Sequence, residues 1–121
     1  MNTAVLGDIS VEFDPCQVRL VGQRTAIFTA ESGTEITKAE TNGKDRVFVL
    51  VRGTECQSKT NVLALDAEGK VAWRAKSNPG THDDELVDFK YSEPLLQAWS
   101  WNYVYEFEGR SGELVRKEAN K

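Results

Sequence analysis

The strongest constraint on the fold of this chain is a strand–turn–strand pattern that recurs along it. In the clearest copy, residues 61–66 (NVLALD) and 70–74 (KVAWR) are typical of two β-strands, and the short link between them ends in Gly69. Glycine suits such a turn because it adopts positive φ without steric cost. A second copy occupies residues 103–117 and a weaker one residues 25–38.

Further strand-like segments precede these units. Residues 46–52 (RVFVLVR) are rich in β-branched residues and are followed by glycine, which is typical of a central strand. The turn glycines of the three copies are 36 and 43 residues apart, which is close to the repeat length of propeller blades. The sequence therefore predicts an all-β, antiparallel meander of three strand–turn–strand repeats, closed in a propeller-like or barrel-like manner. Four further segments complete the predicted repeats: 9–13, 17–21, 86–89 and 95–99.

Two segments compete with this all-β prediction as helices. Residues 34–40 have tolerable helix propensity, but Thr37 and the flanking Gly33 and Gly43 leave barely two turns. The segment that begins at Thr81 could cap a second helix over residues 84–91. Such a helix would end before Pro94, because the residue before proline disfavours helical geometry. The strand interpretation of residues 86–89 agrees better with the repeat.

Length and charge narrow the class of protein. A chain of 121 residues fits one domain, 1–121, and is long enough to bury a core without metal or disulfide. The net charge of −4 and the absence of any long basic run argue against nucleic acid as a partner. The longest apolar run, residues 47–51, is too short to span a bilayer, so we expect no membrane association. The first residues lack the pattern of a signal peptide, which predicts a cytoplasmic location.

Residues 62–74 (VLALDAEGKVAWR) resemble the repeat of the quinoprotein-type (PQQ-like) β-propellers. That repeat ends a strand in Ala-Leu-Asp, turns at Gly-Lys and carries a tryptophan on the next strand. The resemblance implies that Trp73 packs between neighbouring blades and that Asp66 closes the turn. Residues 103–117 are a looser copy, with Glu108 for the aspartate and Arg116 where tryptophan would fall.

The resemblance concerns the fold rather than an activity. A closed propeller typically needs at least four blades, so three repeats would close differently or two chains would complete a ring. No quinone-binding or metal-binding pattern of the family maps onto this chain, so we expect no cofactor. From residue 84 onward the sequence is also similar in style to small bacterial proteins such as integron cassette and immunity proteins.

The titratable residues offer one candidate catalytic segment. His82, the only histidine, is followed by Asp83 and Asp84 and, shortly after, by Asp88. This grouping would suit a metal site or an acid–base pair, but it lacks the spacing of a calcium loop and the three ligands of a catalytic zinc site. A solvated acidic loop is the simpler interpretation, and a metal-dependent hydrolase is the alternative.

The two cysteines lie far apart in the sequence and outside any CxxC motif. Metal binding by such a pair is not expected, because no histidine accompanies either cysteine at ligand spacing. Cys16 and Cys56 are therefore predicted to be reduced, buried thiols, with a disulfide as the alternative.

Aromatic residues supply the candidate recognition surface. They occupy alternate positions from Trp99 to Phe107, and alternate residues of an extended strand share a face. A single strand of this length would be unusual, so we expect a bend near Asn102 and two paired strands. Packing within the core is the simpler role for the rings; a surface that binds a partner or ligand is the other. The candidate surface comprises Trp73, Trp99, Trp101, Tyr103 and Tyr105.

These observations favour a non-enzymatic module that binds another protein, with a second copy of the chain as one candidate partner. A single histidine, no GxSxG motif and no phosphate-binding loop argue against an enzyme. A small-molecule pocket walled by Trp73, Trp99, Trp101 and Tyr103 is an alternative, as is the hydrolase that would use the loop at residues 82–88.

Overall fold

The computed structural model describes residues 2–53, 61–75, 86–100 and 103–119. Within these ranges the chain contains strands and no helix, which confirms the all-β prediction. The strands form three four-stranded antiparallel sheets, each a meander of consecutive strands. No closed barrel or propeller is formed by the described part of the chain.

The three sheets follow one another along the sequence. Sheet A comprises β1 (Asn2–Leu6), β2 (Ile9–Phe13), β3 (Gln17–Val21) and β4 (Thr25–Thr29). Sheet B comprises β5 (Thr34–Thr41), β6 (Val47–Gly53), β7 (Asn61–Leu65) and β8 (Val71–Arg74). Sheet C comprises β9 (Asp88–Ser92), β10 (Leu95–Trp99), β11 (Tyr103–Glu108) and β12 (Leu114–Ala119).

Sheet B lies between the other two sheets and is buried on both faces. In β6, Phe48 and Leu50 belong to the core shared with sheet C, whereas Val47, Val49 and Val51 belong to the core shared with sheet A. Successive side chains of a strand point to opposite faces, so a strand between two sheets is apolar at every position. This explains the uninterrupted apolar run of β6.

The first strands of the three sheets lie next to one another. Strand β1 contacts β5, and β5 is joined to β9 by Lys38. The Lys38 Nζ lies 2.9 Å from Asp88 Oδ1 and also donates to the Phe89 carbonyl. A β-bulge between Ile36 and Lys38 accompanies this contact. The three sheets are therefore stacked with their first strands on one side.

The predicted repeat at residues 25–38 is wrong as a hairpin. Strands β4 and β5 belong to different sheets, and the link between them contains Gly33, at φ +83°. This link resembles a hairpin turn locally, because Thr34 N donates a hydrogen bond to Glu31 O across a tight turn. The hairpin of sheet A that matches the other copies is instead β3–β4, which turns at residues 22–24.

The competing prediction of a helix over residues 84–91 is also wrong for its described residues, 86–91. Residues from Asp88 onward form β9, and Leu86 is buried in the core between sheets B and C. Residues 84 and 85 lie outside the described ranges.

Asp66 closes the turn between β7 and β8. Its Oδ1 accepts hydrogen bonds from the backbone N–H groups of Glu68 and Lys70, at 2.8 and 3.0 Å. Gly69 follows at φ +78°, a conformation that favours glycine.

Cys16 does not occupy the buried position expected of it. It is an exposed, free thiol in the turn between β2 and β3. Its backbone N–H donates to Asp14 Oδ1, so the turn geometry places Cys16 outside both cores. Cys56 lies outside the described residues, and its expected burial stays a prediction.

Candidate functional site

The candidate aromatic residues do not form one surface. Trp73 is 8% exposed and Tyr105 is fully buried, both in the core between sheets B and C. Tyr103 is half-buried and packs against the same core. Trp99 is half-buried and belongs to neither core cluster. Trp101 lies outside the described residues.

The register of the β10–β11 hairpin explains why Trp99 is separated from the others. Ala98 lies opposite Tyr105, and Trp99 lies opposite Val104. Residues directly opposite each other in an antiparallel pair share a face. Odd-numbered residues of β10 therefore share a face with even-numbered residues of β11. The predicted change of direction near Asn102 is confirmed, since β10 ends at Trp99 and β11 begins at Tyr103.

Trp73 is the centre of the inter-sheet packing. Its ring lies 6.1 Å from that of Phe48 and 6.2 Å from that of Phe107. Its Nε1 donates a hydrogen bond of 3.0 Å to the carbonyl of Gly109 in the β11–β12 turn. The same turn brings Gly112 against the indole, where a Cβ atom would lie 2.5 Å from the ring. Trp73 therefore joins sheet B to sheet C and presents little surface to a partner.

The outer face of sheet C carries the aromatic residue that points away from this packing. Trp99 and Val104 lie side by side there, and both are half-buried. We call these two residues, with the neighbouring Gln97, the Trp99 patch. Its border is charged: Arg116 pairs with Glu106 at 3.3 Å and with Glu118 at 3.1 Å.

A groove of about 440 Å³ lies where the turn ends of sheets B and C meet. Tyr91, Pro94 and Val115 contribute apolar surface to it. Two ion pairs line it: Lys44 Nζ lies 3.0 Å from Glu93 Oε1, and Arg110 Nε lies 3.0 Å from Asp45 Oδ2. The hydrogen bond to Glu93 raises the pKa of Lys44, and burial raises the pKa of the Tyr91 phenol. The groove thus combines the Tyr91 phenol with two ion pairs.

Asp45 makes the stability of this turn dependent on pH. Its pKa is lowered, chiefly by the hydrogen bond from Asn42 and also by the nearby guanidinium groups of Arg110 and Arg46. A lowered carboxyl pKa stabilises the fold above the unfolded value of about 3.9, and this contribution is lost as the pH falls through the folded value. We therefore expect Asp45→Asn to lower the free energy of unfolding at pH 7 and to cost progressively less below about pH 4.

Urea unfolding of the wild type and Asp45→Asn between neutral and acidic pH measures this dependence. Glu93→Gln is the matched control, because its ion pair with Lys44 is exposed and exposed pairs contribute little. A difference between wild type and Asp45→Asn that stays constant down to about pH 2 would contradict the expectation.

Of the four residues of the candidate catalytic segment, Asp88 lies within the described residues. Asp88 begins β9 and is paired with Lys38, as described above. His82, Asp83 and Asp84 lie outside the described residues, so the metal-dependent hydrolase stays a prediction. Among the residues that the structure describes, no group of three or more His, Cys, Asp or Glu side chains is arranged to hold a metal ion.

Sequence reasoning missed the groove and the Lys38 bridge. Lys44 and Glu93 are 49 residues apart in sequence, and Lys38 and Asp88 are 50 apart. Each is an ordinary charged residue in its own segment. No local signal could have brought these pairs together, because their proximity depends on how sheets B and C stack.

Comparisons with family models, with curated proteins and with solved structures found no match to this chain. In the portion of the chain that is described, no helix is long and apolar enough to cross a membrane.

Proposed function

We propose that this protein is a non-enzymatic module that binds another protein through the Trp99 patch. One observation carries the proposal: among the described members of the aromatic set, Trp99 is the one directed away from the inter-sheet core. A partly exposed tryptophan beside an apolar residue, within a charged border, matches the composition of protein interfaces.

The stacking of the sheets supports a module with two end faces. Sheet B is covered on both sides, whereas sheets A and C each contribute one face to the two core clusters. A further sheet could pack on either end face, as it does inside the stack. We therefore propose that the sheets are propeller-like blades. The position of Trp73 between sheets B and C supports the resemblance to quinoprotein-type repeats.

The biological setting is part of the same proposal. The similarity in style to integron cassette and immunity proteins suggests a bacterial accessory protein. A bacterial host is therefore the source in which to seek the partner.

The proposal is tested by capture on immobilised protein. The wild type and Val71→Asp should retain the same partner from a lysate, and Trp99→Ala should reduce its retention by about tenfold. Val71 is the matched control because it is an exposed apolar residue on β8, outside sheet C. Val104→Lys is a second variant of the patch and should give the same loss.

Two results would refute the Trp99 patch. One is equal retention of the partner by the wild type and both patch variants, with unchanged circular dichroism. The other is the absence of any saturable partner for the wild type, including a second copy of the chain.

A small-molecule-binding function is the second candidate, and the groove beside Tyr91 is its binding site in place of the predicted aromatic pocket. The described members of the predicted pocket do not come together, because Trp73 of sheet B packs against the inner face of sheet C and Trp99 lies on the outer face of sheet C. The groove beside Tyr91 has the size of a small ligand site, since such sites span roughly 300–1,000 Å³.

A further inference from the structure

The chain contains a single Asn-Gly pair, Asn42-Gly43, in the link between β5 and β6. In such a pair the backbone nitrogen of glycine attacks the side-chain amide of asparagine readily, because glycine has no Cβ atom to hinder the approach. The fold adds no such hindrance: nothing beyond the neighbouring residues lies within 4 Å of the position that a Cβ of Gly43 would occupy. The sequence and the open surroundings of Gly43 therefore both favour deamidation of Asn42.

The folded turn holds both polar atoms of the Asn42 side chain. Asn42 Oδ1 accepts hydrogen bonds from the backbone N–H groups of Lys44, Asp45 and Arg46, at 2.9, 2.9 and 3.0 Å. Asn42 Nδ2 donates to Asp45 Oδ1 at 2.8 Å. Ring closure turns the side-chain carbon Cγ towards Gly43 N and expels Nδ2, so the contacts that hold the side chain must break first.

The attacking peptide group is held as well. Gly43 N donates a hydrogen bond of 3.2 Å to Thr41 Oγ1, and Gly43 O accepts one of 3.2 Å from Gly7 N in the β1–β2 turn. The amide nitrogen attacks only after it has lost its proton, and a hydrogen bond donated to Thr41 favours the protonated form. The folded turn therefore disfavours the reaction, and local opening of the turn permits it.

We propose that Asn42 is a deamidation site that reacts when the β5–β6 turn opens, and that the product loses the contact with Asp45 that closes the turn. The deprotonated Gly43 N forms a bond to Asn42 Cγ, the Cγ–Nδ2 bond breaks, and Nδ2 takes up a proton and leaves as ammonia. Water then opens the resulting succinimide. Cleavage at Cγ gives aspartate, and cleavage at the backbone carbonyl carbon gives isoaspartate. No oxidation or reduction takes place.

Either product changes the groove between sheets B and C, because Asn42 and Asp45 both line it. The hydrogen bond from Asn42 is the main cause of the lowered pKa of Asp45. An aspartate at position 42 has no N–H to donate, and its carboxylate faces that of Asp45, which disfavours the contact. Isoaspartate adds a methylene group to the backbone and alters the spacing to the three N–H groups that Oδ1 accepts from. Deamidation therefore loosens the turn and adds negative charge to the groove.

Deamidation rates in buffer and in urea, followed by mass spectrometry of the peptide that contains Asn42, test the role of the turn. The folded wild type should react at least about tenfold more slowly than the unfolded chain, because only molecules with an open turn react. Asp45→Ala removes the acceptor of Nδ2, so its folded form should react about fivefold faster than the folded wild type, with equal rates in urea. Arg110→Ala is the matched control: it removes the exposed partner of Asp45 Oδ2 and keeps the hydrogen bond from Asn42, so its rate should be unchanged.

An exchange of side chains tests the effect of the product. Asn42→Asp reproduces the aspartate product and should lower the urea concentration at the midpoint of unfolding. The double variant Asn42→Asp/Asp45→Asn re-forms the contact with donor and acceptor reversed. Its midpoint should lie above that of Asn42→Asp, although Asp45→Asn alone is destabilising, and this non-additivity measures the contact between the two side chains.

Three outcomes would overturn the proposal. They are equal deamidation rates of the wild type in buffer and in urea, an Asp45→Ala protein that is folded by circular dichroism and reacts as slowly as the wild type, and a double variant whose midpoint is no higher than that of Asn42→Asp. None of these measurements involves the Trp99 patch or a partner. The proposed function and the modification of Asn42 can therefore fail separately.

Discussion

Alanine in place of Trp73 is expected to lower the free energy of unfolding by about 3–5 kcal/mol, the usual cost of removing a large buried aromatic side chain. The indole is 8% exposed and contacts aromatic rings of both sheets B and C. The substitution also leaves the Gly109 carbonyl without its 3.0 Å hydrogen bond from Nε1. Urea unfolding followed by circular dichroism measures the loss.

Two further variants serve as comparisons for Trp73→Ala. Trp73→Phe keeps most of the ring packing and removes the indole N–H, so it should lose less than Trp73→Ala. Trp99→Ala should be the mildest of the three, because Trp99 lies outside both core clusters. A Trp73→Ala protein that is as stable as Trp99→Ala would show that Trp73 does not join the two sheets.

Alanine in place of Gly112 is expected to be the most damaging change at a turn glycine. Gly112 has φ +78°, and a Cβ atom there would lie 2.5 Å from the Trp73 ring. The left-handed conformation costs roughly 1–2 kcal/mol for a residue with a Cβ atom. Forcing an additional methyl group into packed surroundings adds about 1–3 kcal/mol.

Gly33 is the matched control for Gly112. It has φ +83°, yet nothing lies within 4 Å of the position that its Cβ would occupy. Gly33→Ala therefore measures the backbone cost alone, and the further loss in Gly112→Ala measures the contact with Trp73. Equal losses in chemical unfolding of the two variants would contradict the placement of Trp73 against the β11–β12 turn.

Local patterns predicted the strands well, because each strand is defined by its own residues. The β7–β8 hairpin illustrates this: Asp66 and Gly69 specify the turn without help from the rest of the chain. The alternating segments of β10 and β11 were recognised for the same reason, and so was the change of direction between them.

The assignment of strands to sheets could not be predicted, because it depends on packing between distant segments. Gly33 has the same conformation as the hairpin glycines, although it connects sheet A to sheet B. The position of Trp99 was mistaken for a related reason. Alternate residues share a face within one strand. Whether odd-numbered residues of the next strand lie on that same face depends on the register of the hairpin.

The double-sided burial of β6 means that neither end sheet is independent of the other. Phe48 packs towards sheet C and Val49, the next residue, packs towards sheet A. Close-packed interiors transmit displacement, so a shift of this one strand changes the packing of both outer sheets at once. The Trp99 patch on sheet C is thereby mechanically coupled, through a single strand, to sheet A at the opposite end of the stack.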